Sequence, residues 1–302
     1  MRVLVSGGTG FVGRALCPAL LRAGHDVRVS TRDVEAAARR LPSIVQLVHP
    51  GSSEGWAQAV DGCDAVINLA GESIAEGRWT PGRKHALRRS RIATTRSLVD
   101  ACALVAHRPS VFVSASAVGY YGPSGNEKLA ESAPPGDDFL ARLCVDWEAE
   151  AAQVSELGVR LVLPRIGVVL GEGGGAVERM IVPFQMFLGG PIGSGKQWLS
   201  WVHKQDVVAL LVDSLTNDRM VGPINVVAPD ARTMADFSRA LGAAMRRPSW
   251  ISVPPFAMRL ALGEMAEMLL TGQRVLPAGA EAAGYRFRYR SLGDALAEIL
   301  HR

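Results

Sequence analysis

Short apolar, β-branched runs recur along the first half of the chain, at Arg2–Ser6, Val27–Thr31, Ile44–Val48, Ala65–Leu69, Val111–Ser114 and Val159–Pro164. Stretches with helical spacing separate most of them, notably Val12–Ala23, Arg83–Ala106 and Phe139–Leu157. Strands that are apolar almost throughout, alternating with helices, predict a parallel sheet covered on both faces. Its crossovers should be right-handed.

The pattern changes after Gly171. "GEGGGA" (Gly171–Ala176) and "LGGPIGSGKQW" (Leu188–Trp198) read as flexible connections or ligand-facing loops. "WLSWVH" and "PINVVA" read as further strands, with a helix from about Lys204 to Leu215 between them. "RTMADFSRALGAAM" reads as a helix opened by Thr233, with Asp236 three residues on as a partial capping box. Phe256–Leu270 and Ser291–Leu300 complete a helical tail. The expected fold class is α/β: a Rossmann-type, doubly wound parallel sheet with a smaller C-terminal substrate-side lobe. Residues 1–170 plus 200–228 would form the dinucleotide-binding domain, and 171–199 plus 229–302 the lobe over the carboxyl edge of the sheet.

Composition narrows the function classes. In 302 residues, 48% are hydrophobic and 21% charged, which suits a chain able to bury a sizeable core. The net charge of +4 is spread without long like-charge runs, so no nucleic-acid partner is expected. Cys17, Cys63, Cys102 and Cys144 are far apart and form no C-x-x-C, and the histidines show no H-E-x-x-H. Free thiols and no metal follow. The start "MRVLVSGG" lacks a signal-peptide pattern, and no apolar run reaches membrane-spanning length. The expectation is a soluble cytoplasmic protein with a small-molecule substrate and no membrane partner.

"VLVSGGTGFVG" carries the strongest chemical signal. Gly7, Gly10 and Gly13 follow a predicted strand and open a helix, the context in which glycines form a tight turn and let backbone approach a pyrophosphate. Thr9, Phe11 and Val12 complete this cofactor loop. The helix start supplies free N–H groups to the phosphates. The second strand ends "RVSTRD": the ribose-reading position falls on Thr31, with Arg32 beside it. An arginine there suits the 2′-phosphate, so NADP(H) is favoured over NAD(H). Asp33 is the counter-argument, since a shift of one residue would make it the ribose ligand. Small residues in "INLAG" (Asn68, Leu69, Ala70 and Gly71) would let the fourth strand's end lie against the cofactor.

These motifs, with "VSASAVGYYG", "LPRIGVVLG" and "WLSWVHKQDVV", appear in the order of the extended short-chain dehydrogenase/reductases. The whole chain resembles that NAD(P)-dependent epimerase/dehydratase superfamily. "GESIAEGRW", "DWEAEAA" and "GEMAEMLLTGQRVLP" are similar to its atypical "epimerase family" subgroup, assigned by homology to nucleoside-diphosphate-sugar epimerases. The resemblance implies a serine after the fifth strand, matched by Ser116, with Ser114 nearer the cofactor. It also implies a Tyr-x-x-x-Lys on the next helix, whose tyrosine exchanges a proton with substrate while hydride moves to or from nicotinamide. Here that helix reads "DDFLARLCVDWEAEAA", with Leu140 and Cys144 roughly where the pair belongs. Tyr120 or Tyr121 is then the candidate acid beside Ser116, with Cys144, Glu72 or Asp146 as substitutes.

Arg91 falls near a helix asparagine that many relatives place beside the cofactor. Glu72, Lys196 and Arg274 are candidate substrate contacts, the two cations suiting a pyrophosphate. His203 and Asp206 match a region that braces the domain junction. Met258, Met265 and Met268 read as core or dimer interface, a homodimer being a superfamily habit. Two readings stand: an NADP(H)-dependent oxidoreductase or epimerase acting on a small polar carbonyl or hydroxyl compound, including a nucleotide-sugar, or an NADP(H)-binding regulator or scaffold that has lost the proton relay.

Overall fold

The computed structural model describes residues 1–300. Seven strands, β1 (Arg2–Ser6), β2 (Asp26–Ser30), β3 (Gln46–Val48), β4 (Ala65–Asn68), β5 (Val111–Ser114), β8 (Arg160–Ile166) and β12 (Gly222–Val226), line up in the order β12-β8-β5-β4-β1-β2-β3. Every pairing among them is parallel. An eighth strand, β6 (Ser116–Ala117), continues the line of β5 and pairs with β8, placing Ser116 opposite Arg165. The chain order reverses between β1 and β4, where an open α/β sheet forms its ligand crevice.

Strand residues sort onto two faces with period two. Val3, Val5, Ala65, Ile67, Val111, Val113 and Val162 pack on one side, against Leu16, Cys17 and Leu20 of α1 (Gly13–Arg22) and Val207 and Leu211 of α7 (Lys204–Asp213). Leu4, Val66, Phe112, Leu161 and Leu163 pack on the other side. There they meet Val60 of α3 (Ser53–Val60), Leu98 and Cys102 of α4 (Pro81–Leu104) and Ala151 of α5 (Phe139–Ala152). Both faces are dry, which explains why these strands read as continuous apolar runs.

A separate apolar cluster forms among helices outside the sheet. α6 (Gly175–Gln185), α8 (Met234–Met245) and the last helix (Leu292–Leu300) share a core through Val177, Phe184, Phe237, Leu241, Leu292 and Leu296. Thr233 caps α8: its Oγ accepts from the Asp236 N–H at 3.2 Å and donates to the Asp236 carboxylate at 2.7 Å. The helix α6 is absent from the sequence reading, since it starts in a glycine run and contains Pro183. The expected helix over 256–270 is three pieces, Pro255–Leu262, Gly263–Ala266 and Glu267–Leu270.

His203 and Asp206 join the two parts. Asp206, 1% exposed, accepts hydrogen bonds from the backbone N–H of Arg288 (2.7 Å) and of Tyr289 (3.0 Å). His203 accepts at Nδ1 from the Gln205 N–H, so its Nε2 donates to Glu298 at 3.0 Å. A 3.8 Å ring stack on Tyr289 completes the junction.

Candidate functional site

The turn after β1 is shaped by two glycines that nothing else can replace. Gly7 has φ +76°, and a Cβ there would lie 2.6 Å from the Leu69 carbonyl oxygen. A Cβ on Gly13 would lie 2.3 Å from the Gly7 oxygen. The Gly10 N–H closes the turn on that oxygen at 3.0 Å. α1 then begins with no capping side chain and no acidic residue in its first turn, so its free N–H groups favour an anion. This cradle fits a dinucleotide pyrophosphate, which α1 and the backbone of residues 7–13 would hold. Phe11 packs against Gly174 and Gly175, and the Lys204 ammonium lies 4.8 Å from its ring centroid.

At the end of β2 the two acidic and basic candidates separate. Asp33 turns away to cap a short helix, α2 (Val34–Ala38), accepting from the Ala36 N–H at 2.8 Å. The Thr31 hydroxyl is occupied by the Asp33 backbone at 3.0 Å. Arg32 is exposed, with no hydrogen bond or ion pair among the described residues. His49, which the sequence reading passed over, bonds the Thr31 carbonyl through Nδ1 at 3.0 Å and sits at the same edge.

Around the fifth strand the polar groups form one network. Ser116 donates to Glu148 Oε1 at 2.6 Å. Arg165 grips the same carboxylate with two bonds, Nε to Oε1 at 2.9 Å and Nη2 to Oε2 at 2.8 Å. Its Nη1 donates to the Tyr121 hydroxyl at 3.0 Å, and that hydroxyl donates to Asn225 at 2.7 Å. Asn225 in turn donates to the Leu276 carbonyl in the smaller lobe at 2.9 Å. Arg165 is only 3% exposed. Burial works against its charge, but Glu148 outweighs burial and holds the guanidinium above its ordinary range. Burial likewise raises the Tyr121 phenol despite Arg165 and Asn225. Tyr120 stacks on Arg165, with the guanidinium carbon 3.4 Å from the ring centroid. Its hydroxyl has no partner among the described residues.

The helix that should carry tyrosine and lysine, α5, faces this network with Leu140 and Cys144. A Cβ at Gly119 would lie 3.4 Å from Leu140 and 4.0 Å from Cys144. Burial pushes the Cys144 thiol up to about 12, with Glu148 adding to it, so this thiol is inert.

The NAD-dependent epimerase/dehydratase family model matches residues 3–227. The chain belongs to that family. A second match, to a domain of unknown function, spans residues 253–299. An Arabidopsis thaliana relative, a chloroplastic homolog of epimerase family protein SDR39U1, is 44% identical over 99% of this chain and 87% of its own. Epimerase family protein YfhF of Bacillus subtilis is 38% identical, with 99% and 98% covered. Human epimerase family protein SDR39U1, whose crystal structure contains NADPH, superposes with a TM-score of 0.89 at 37% identity, covering both chains fully.

Several of the expected contact residues have partners within the protein. Asn68 and Ser114 are wholly buried, and their side chains face inward. Asn68 accepts from Ser6 at 2.6 Å and donates to Thr95 at 2.8 Å and Ser114 at 3.3 Å, stitching β1, β4, β5 and α4 together. Leu69, Ala70 and Gly71 remain as the backbone edge beside the cradle. Arg91 packs against Gly71 and over Trp147, 5.3 Å from its ring centroid, and donates to the Glu72 carbonyl at 3.0 Å. These contacts tie Arg91 to the 70–72 segment.

The Glu72 carboxylate pairs with Arg83. Asp146 pairs with Arg88 at 2.8 Å on an exposed face, away from Ser116. Arg274 stacks on Trp198 at 4.3 Å, while Lys196 is exposed in its loop. Met265 and Met268 join Trp79, Ile74, Phe139 and Leu140 in an apolar cluster that links α5 to the smaller lobe. Glu148 and Arg165 were the residues sequence reasoning did not assign. Their signal was an arginine inside the otherwise apolar strand "RLVLPRI".

No helix of the described residues is long and apolar enough to cross a membrane. Among the described residues no cluster of potential metal ligands occurs.

Proposed function

We propose that this chain is an NADP(H)-dependent oxidoreductase or epimerase acting on a small polar hydroxyl or carbonyl compound. The observation that carries the reading is an intact dinucleotide cradle at the sheet's switch point beside a buried, charge-supported serine. The bound dinucleotide supplies hydride exchange at its nicotinamide. The chain's own residues bind and orient it: residues 7–13 take the pyrophosphate, and Arg32, freed of Asp33, takes the 2′-phosphate. The NADPH in the crystal structure of the human relative supports that preference. Ser116 positions the substrate oxygen, and Tyr120, whose hydroxyl has no partner among the described residues, stacks on the Arg165 that holds the serine's carboxylate.

A regulatory reading draws on one observation, the apolar α5 face where Leu140 and Cys144 replace the proton-transfer pair. Calorimetric titration with NADPH and NADH in low phosphate tests the first part. NADPH should bind at least about tenfold more tightly, and Arg32→Ala should erase the difference. Equal affinities in the wild type would remove the NADP(H) assignment. Hydride transfer over a panel of alcohols and ketones tests the second part. Tight NADPH binding with no transfer in either direction would favour the regulator.

A further inference from the structure

The hydrogen bonds around Ser116 have a direction. A serine hydroxyl owns one proton, and here it is given to Glu148 at 2.6 Å. Glu148 in turn receives two N–H bonds from Arg165, so it is held as a carboxylate that can only accept. With its proton given to Glu148, Ser116 has only lone pairs left to offer a substrate oxygen. It is an acceptor for a substrate O–H, and a poor donor to a substrate carbonyl. We propose that Ser116 and Glu148 form a proton-accepting couple in place of the missing tyrosine and lysine, and that the site takes its substrate as an alcohol.

The step balances with an oxidised dinucleotide as the hydride acceptor. The substrate C–H bond breaks and its electron pair leaves as hydride to the nicotinamide. The substrate O–H proton moves to Ser116 Oγ as the proton of Ser116 moves to Glu148 Oε1. The products are a carbonyl compound, the reduced dinucleotide and a protonated Glu148, which returns its proton to water. An epimerase would run the same step forward and then backward.

Groups from several elements surround Glu148. The charged and titratable groups facing it are Arg165 from β8, Tyr120 and Tyr121 from the turn after β6, Cys144 one turn earlier on α5, and Arg91 across from Cys144. The Tyr121 proton is committed to Asn225, and the Cys144 thiol is pushed up to about 12. Tyr120 meets the network through its ring, face-on to Arg165 and edge-to-face with Tyr121.

This inference rests on the oxidoreductase reading, and the experiment separates the two. The first measurement needs no cofactor. The carboxyl carbon of Glu148 is followed by NMR through an acid titration, assigned by its loss in Glu148→Gln. Ser116→Ala removes the donor that favours the ionised form, so the midpoint should rise. An unchanged midpoint means that the serine proton is not on Glu148, and the couple is overturned.

The second measurement uses the NADP⁺-loaded protein with a panel of cyclic, aryl and sugar secondary alcohols, and the matching ketones with NADPH. Alcohol oxidation should fall at least about 100-fold in Glu148→Gln, with loss of the acid limb of its pH profile. Glu148→Asp should restore both in part, and formate should rescue Glu148→Ala. If Glu148→Ala does not fold, the Gln and Asp variants carry the test. Oxidation that keeps its rate and acid limb in Glu148→Gln overturns the couple and leaves the oxidoreductase reading standing. Absence of hydride transfer with every probe overturns both.

Discussion

Replacing Asp206 should loosen the smaller lobe from the sheet, and the size of the effect follows from its bonds. Its carboxylate, 1% exposed, accepts two backbone N–H bonds at 2.7 and 3.0 Å from residues 82 and 83 positions further along. Asp206→Ala leaves the Tyr289 donor buried and the Arg288 donor part-buried, both without partners, at about 1–3 kcal/mol each. The sum is about 2–6 kcal/mol, with a middle value near 4. Asp206→Asn keeps one acceptor and turns an NH₂ group toward the other N–H, so it should cost about half as much. Urea unfolding followed by tryptophan fluorescence measures the total. Hydrogen exchange over residues 285–300 locates it, because these amides lose their anchor first. A urea midpoint for Asp206→Ala within about 0.2 M of wild type would refute the reasoning, since a slope of a few kcal/mol per M turns 4 kcal/mol into more than 1 M. Normal exchange protection at residues 288 and 289 would refute it equally.

Gly13→Ala should abolish measurable NADPH binding in calorimetry, because its Cβ would press on the Gly7 oxygen at 2.3 Å. Tyr121→Phe should destabilise the fold by about 1–3 kcal/mol, since Arg165 and Asn225 both lose a buried partner, whereas Tyr120→Phe should change thermal stability little. Burial holds the His203 imidazole below its ordinary value despite Glu298. The unfolded chain then takes up a proton, from about pH 6.5 downward, that the folded chain resists, so stability is full above that pH and falls below it until the folded ring also titrates. His203→Gln should flatten that slope in urea titrations at several pH values, with the remainder assigned to His25, whose ring burial also lowers. Cys17, Cys102 and Cys144, each pushed up to about 12 by burial, should react with a thiol reagent only after unfolding.

The sheet was legible because its strands are buried on both faces. Val111–Ser114 forms as read, and Arg2–Ser6 as well. The cofactor turn was legible because Gly7 and Gly13 have no alternative. Legibility fails where local rules are broken by tertiary packing. The helix Gly175–Gln185 hides behind three left-handed glycines and an internal proline. The hydrogen bonds that join Asn68 to Ser6 and Ser114 cross between strands far apart in the sequence and leave no local mark. The partnership of Glu148 with Ser116 depends on β6 pairing with β8 beside an α5 face, a juxtaposition of residues 32 positions apart. A single sequence marks it only by an arginine in an apolar strand.

The apolar α5 face also bears on protein engineering. Writing the absent pair back in, as Leu140→Tyr with Cys144→Lys, would not regenerate a conventional short-chain dehydrogenase. A lysine at 144 would enter a sealed position beside Arg91, with desolvation of several kcal/mol to overcome. It would also compete with Arg165 for the one nearby carboxylate. The orientation of the serine is inherited from β8 and, through Asn225, from the smaller lobe. A graft of the conventional chemistry would therefore have to transplant the strand and the lobe contacts together with the helix.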